Sequence, residues 1–106
     1  MTASAVQLSR SDFTAVITTD DALLTSISCT GDIEEVTLQP LTAGAYVVLT
    51  GGSQGGAVGT KYFTIAASGS GQFQPRDVGI GEGNPWTLYV ARASAGAVIH
   101  VAGKIR

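Results

Sequence analysis

The closing stretch from Pro85 to Ile105 constrains the fold more than any other part of the chain. Read with a period of two, Trp86, Leu88 and Val90 point to one side, and Ile99, Val101 and Ile105 share that side from a second arm. The short segment Ala93–Gly96 between the arms predicts a turn with Gly96 at positive φ, so the stretch is expected to form a β-hairpin. Trp86 offers more buried area than any other side chain in the sequence, which makes this element the expected anchor of the core.

Upstream, the same alternation recurs in short pieces. Phe13, Ala15 and Ile17 alternate with Thr14, Val16 and Thr18, and Asp20-Asp21 marks a turn. Leu23, Thr25, Ile27 and Cys29 form a second strand ending at Thr30-Gly31-Asp32. Val36 and Leu38 form a third, which Pro40 ends or places at an edge. Ala45–Leu49 is a continuous apolar run of the kind covered on both faces. Gly51–Thr60 holds five glycines and reads as a flexible connection, after which Phe63 and Ile65 point inward from another strand. Short pieces around Gln72–Pro75 and Asp77–Ile80 lead to the closing arms. About eight short antiparallel strands with frequent turns and no helical period predict an all-β sandwich or jelly roll. Residues 1–11 are an N-terminal arm or edge strand, and 12–106 a single domain. The expected core is Phe13, Ile17, Ile27, Phe63, Ile65, Trp86, Leu88, Val90, Ile99 and Val101.

Composition bears on partners. Charged residues make up 13% of the chain, about half the ~25% of an ordinary soluble domain, and Gly, Ala, Ser and Thr fill the gap. A subunit covered by neighbours needs fewer solvating charges than a free monomer. Six scattered basic residues and a net charge of -2 argue against nucleic acid as a partner. One cysteine excludes an internal disulfide, and no basic-then-apolar leader or membrane-length apolar run is visible, so a soluble chain made in the cytoplasm is expected.

Motifs that suggest chemistry lack their context. Gly51-Gly52-Ser53-Gln54-Gly55 matches G-x-S-x-G, but a nucleophile elbow needs a following helix and a nearby histidine, and only His100 exists. Gly59-Thr60-Lys61 and Gly79-x-Gly81-x-Gly83 precede strands, where a phosphate site needs a helix N-terminus. Asp20-Asp21 and Asp32-x-Glu34-Glu35 could hold a cation only if their turns lay side by side. Cys29 reads as a buried, inert thiol. No catalytic residue, metal ligand or cofactor is therefore expected. The outward positions of the closing arms are more informative: Thr87, Tyr89, Ala91 and Ala93, with Val98, His100, Ala102 and Lys104, are small and nearly uncharged where a solvated face carries Lys, Glu and Arg.

The N-terminal arm, the Gly-rich Gly51–Gly59 loop, the low charge and the closing Trp86–Arg106 stretch together resemble the small β-sandwich proteins of tailed-phage virions, notably head decoration (cement) proteins and related head-fibre and tail domains. That resemblance implies a non-enzymatic subunit of the virion, made in the host cytoplasm. It would assemble with itself and with a major capsid or other virion protein, and use neither nucleic acid nor membrane. The interface residues expected on this reading are Val6, Leu8, Gly55, Lys61, Tyr89, Ala91 and His100, with Ala91→Glu weakening assembly and sparing the fold. The competing expectation is a carbohydrate- or receptor-binding module using Tyr46, Tyr62 or Tyr89 as a stacking platform.

Overall fold

A computed structural model describes residues 3–19, 21–93 and 97–106. Among the described residues nine strands follow one another: β1 (Val6–Leu8), β2 (Thr14–Thr19), β3 (Thr25–Cys29), β4 (Ile33–Pro40), β5 (Ala45–Val48), β6 (Phe63–Ile65), β7 (Gly71–Phe73), β8 (Trp86–Arg92) and β9 (Ala97–Ile105). A 3-10 turn, Pro75–Val78, precedes β8. They form a five-stranded sheet ordered β1-β3-β8-β5-β6 and a four-stranded sheet ordered β2-β9-β4-β7.

The pairing is nested. β2 pairs with β9, β3 with β8, β4 with β7 and β5 with β6, all antiparallel, as if one long ribbon had its tip at β5–β6. The ribbon then wraps so that β9 also meets β4 and β8 also meets β5. This is jelly-roll topology, eight strands in two sheets, with β1 added in parallel at the β3 edge. The all-β sandwich expectation holds, and Val6–Leu8 form an edge strand.

The closing stretch is not a hairpin. β8 lies in the five-stranded sheet and β9 in the four-stranded one, so the chain crosses from one layer to the other between them. The expected turn at Ser94–Gly96 lies outside the described residues, as does Asp20. The inward phase was nevertheless correct. Trp86, Leu88 and Val90 face Ile99 and Val101 across the core, and all five are buried. A hairpin and a crossover demand the same alternation, because each strand has one inward face in either case.

The core also takes Leu8, Ile33, Val36, Leu38 and Val47, each fully buried. Ile33 and Val36 are three apart yet both inward because a β-bulge between Ile33 and Glu35 inserts a residue. Phe13 and Phe63 correct the expected core: they are 42% and 58% exposed. Phe13 precedes β2 and Phe63 opens the edge strand β6, so their inward phase carries them to positions the facing sheet does not cover. Trp86 ties the layers together, its indole Nε1–H donating to the buried Ile33 carbonyl at 3.0 Å.

Candidate functional site

The two sheets present very different outer faces. That of the five-stranded sheet is covered by the chain's own 49–62 loop. A second apolar cluster forms there from Leu24, Val48 and Ala91, with Val58 and Tyr89 packed against it. The five-glycine segment is therefore pinned, contrary to its reading as a flexible connection. Leu24 N–H donates to the Gly56 carbonyl (2.8 Å) and Gly55 N–H returns a bond to Leu24 (2.7 Å). The Gln54 side chain accepts from Ser26 N–H (2.8 Å) and donates to the Ala3 carbonyl (2.8 Å). Gly55 sits at φ 76°, which favours glycine, and a Cβ at Gly52 would lie 2.6 Å from the Tyr89 ring. The loop can cover the sheet only because those positions carry no side chain.

The outer face of the four-stranded sheet has no such cover among the described residues. Its register sets His100 between Val16 on β2 and Gln39 on β4, and Ala102 between Thr14 and Thr37. Val16 is 58% exposed, and Thr14, Gln39, His100 and Ala102 are exposed too. Among the described residues charge enters this face at one end, where Lys104 pairs with Glu34 at 3.4 Å and stands opposite Glu35.

The expected interface residues scatter accordingly. His100 lies at the centre of the open face. Gly55 and Lys61 are exposed on or beside the pinned loop, and Val6 is half-buried on β1. Leu8 is fully buried in the main core and Ala91 is 1% exposed under the loop, so neither can meet a partner in the folded chain. Each has its own cause: β1 joins a sheet instead of reaching outward, which buries Leu8, and the loop occupies the face that Ala91 is expected to show. Tyr89 is half-buried for the same reason. The residue that sequence reasoning missed is Val16. Its outward phase was legible, but not its place on a free sheet edge.

Aromatic side chains gather at the other end of the five-stranded sheet. Tyr46 on β5 and Tyr62 make a tilted ring contact, with centroids 4.6 Å apart and planes inclined by 59°. Tyr62 and Phe63, with Leu49, Thr50, Lys61 and Asp77, line a shallow cleft. Both Tyr62 (42%) and Phe63 are largely exposed.

The chemistry-bearing motifs are kept apart. Ser53 belongs to the loop over the five-stranded sheet, whereas His100 faces out from the opposite layer, so the sandwich separates them. Asp21 precedes β3 and Asp32 follows it, which puts the two acidic turns at opposite ends of that strand. Asp21 Oδ1 accepts from Leu23 N–H, and Asp32 pairs with Arg10 at 3.4 Å. No cluster of three or more metal-binding side chains occurs among the described residues. Cys29 is buried, and loss of solvent around its thiolate pushes the thiol pKa up to about 12. No helix among the described residues is long and apolar enough to cross a membrane.

No protein-family model and no curated protein matches the chain. Among solved structures, it is similar to a de novo designed double-stranded β-helix determined by solution NMR, with a TM-score of 0.59 at 11% identity over 86% of this chain and 97% of that one. A second similar structure is Aeromonas hydrophila PliG, a periplasmic inhibitor of g-type lysozyme, with a TM-score of 0.47 at 10% identity over 95% of this chain and 99% of that one. At such identities the first likeness shows the fold, a double-wound β-sandwich, in agreement with the nested strand pairing.

Proposed function

We propose that the chain is a non-enzymatic structural subunit that docks through the open face of its four-stranded sheet, in the manner of a decoration protein on a tailed-phage head. One observation carries this reading: the chain covers the outer face of its five-stranded sheet with its own loop, whereas among the described residues nothing covers the uncharged middle of the four-stranded sheet's outer face around His100. An exposed face of Val, Thr, Ala, Gln and His has few charges to desolvate on docking, and a flat sheet suits a broad protein surface. Specific interfaces of this kind bury about 1,200–2,000 Å² in total. The test is co-sedimentation with empty phage shells stripped of their decoration protein. The wild type should pellet with the shells, and Ala102→Glu should not, while melting like the wild type because Ala102 is exposed. Equal pelleting of both proteins, or none by the wild type, would refute the reading.

The aromatic cleft favours a second reading, a carbohydrate- or receptor-binding module. Tyr62 and Phe63 offer exposed rings beside Lys61 and Asp77, the mix of apolar platform and polar rim that a sugar needs. A glycan array separates the two: binding abolished by Tyr62→Ala supports the module, and a blank array removes it.

A further inference from the structure

We infer that β2 is a pairing edge for a second copy of this chain, the two β2 strands running antiparallel about a two-fold axis at Val16, an inference that rests on the reading of the protein as an assembling subunit. Three of the four sheet edges, β1, β6 and β7, are only three residues long. The fourth, β2, has six residues, Thr-Ala-Val-Ile-Thr-Thr, with no charge, no proline and mostly β-branched side chains. Exposed edges are ordinarily blunted by lysine, proline, a bulge or shortness, and β2 carries none of these.

The backbone says which groups are free. Gly103 N–H donates to the Phe13 carbonyl at 2.6 Å, so 13 and 103 form a hydrogen-bonded pair. Alternation along the β2–β9 register then directs the backbone groups of Ala15 and Ile17 at β9 and those of Thr14, Val16 and Thr18 at the open edge. A partner strand must preserve the inward and outward phases. A two-fold at Val16 does so, setting Val16 against its own copy and Thr14 against Thr18 of the partner. All three side chains are exposed, and Val–Val and Thr–Thr are favourable cross-strand pairs. Those three pairs exchange about six hydrogen bonds. Asp12 and Asp21 flank the strand and confine pairing to it. A shallow groove lined by Val16–Thr18 on one side and by the chain's own Ala3–Val6 on the other runs along this edge.

Cysteine placement tests the register. Across a hydrogen-bonded pair the Cα atoms lie about 5.5 Å apart, within disulfide range. Val16→Cys should therefore form a covalent dimer under mild oxidation, at least ten-fold faster than Thr14→Cys. A mixture of Thr14→Cys with Thr18→Cys should cross-link as a heterodimer. Cys29 is buried and provides no competing thiol. In sedimentation velocity, Val16→Pro, which removes an outward N–H and leaves the β9 ladder alone, should raise the dimer dissociation constant at least ten-fold; Val16→Lys serves if the proline variant melts early. Equal cross-linking rates at 16 and 14, or a Val16 variant that dimerises like the wild type, would overturn the inference. Ala102→Glu keeps the two readings apart, because it lies on the open face away from the edge. If the wild type binds shells and loses them through Ala102→Glu while the cross-links fail, only the strand pairing falls.

Discussion

Trp86 is where the two layers are fastened, and its truncation gives a graded test of how. Its indole is 3% exposed and donates to the Ile33 carbonyl beside the β4 bulge, where the ladder to β9 shifts register. Trp86→Ala removes both the packing and the hydrogen bond, at a cost of about 3–5 kcal/mol. A domain has a total stability of only about 5–15 kcal/mol, so the alanine variant should lose a large share of it and be barely folded if the wild type lies at the low end of that range. Trp86→Phe separates the parts. It keeps most of the apolar contact but leaves a buried carbonyl without its donor, which costs about 1–3 kcal/mol. At roughly 4 °C per kcal/mol, phenylalanine should lower Tm by about 4–12 °C. Trp86 is the only tryptophan, so urea unfolding must be followed by far-UV circular dichroism instead of fluorescence. A phenylalanine variant within about 0.5 kcal/mol of the wild type would show that the indole N–H contributes nothing, refuting the fastening argument.

Thr25 points the other way. It is fully buried and its Oγ1 finds no hydrogen-bond partner among the described residues, so Thr25→Val should stabilise by about 1–2 kcal/mol and raise Tm. Ala91→Glu should lower the melting temperature of the isolated chain, because the carboxylate would be forced under the 49–62 loop; a wild-type melt would show that the loop opens readily. Cys29 gives a pH test. Its folded pKa of about 12 lies above that of an unfolded thiol, so as pH rises the unfolded chain loses its proton first. Stability should be unaffected below pH ~8.5 and fall by about 1.4 kcal/mol per pH unit as pH climbs from ~9 towards 12. Urea midpoints for wild type and Cys29→Ala between pH 7.5 and 10.5 check it, the alanine variant showing a shallower fall.

Face assignments were legible in the sequence because they are local: a period of two places Ile17, Ile27, Leu88 and Val101 inward whatever the strands pair with. Pairing was not legible. Four residues between β8 and β9 are short enough for a hairpin, and nothing local signals that each strand has a better partner, β3 and β5 for one, β2 and β4 for the other. The error propagated to the site. A hairpin puts Tyr89, Ala91 and His100 on one shared face, whereas the crossover sends Tyr89 and Ala91 to one outside of the sandwich and His100 to the other. The glycines of the 49–62 loop misled for a related reason. Glycine marks special backbone geometry as readily as freedom, and at Gly52 it marks the close approach of a loop to Tyr89. Leu8 shows why a short terminal segment need not be an arm: its side chain is fully buried, Val6 and Ala3 pack against the same core, and three residues are enough to pair with β3.

The distribution of charge joins the two proposed surfaces. Three ion pairs among the described residues cluster around the β3–β4 turn and the end of β9, where Arg10 meets Asp32, Lys104 meets Glu34 and Arg106 meets Glu82. The backbone N–H of Arg106 also reaches the Asp32 carbonyl at 2.7 Å. That end is charged and closed by polar contacts, which leaves the middle of the four-stranded face and the β2 edge uncharged. Val16 belongs to both surfaces, its side chain on the face and its backbone on the edge. Pairing at β2 would therefore set two bare faces side by side in one continuous eight-stranded sheet, doubling the flat area offered to a shell. Binding would become bivalent, and linked sites can exceed single-site affinity by about 10²–10⁴-fold without any new contact. Val16→Pro should accordingly weaken shell binding although it leaves His100, Gln39 and Ala102 in place. If it broke the dimer and left shell affinity unchanged, docking would be a property of the single chain and the two surfaces would be independent.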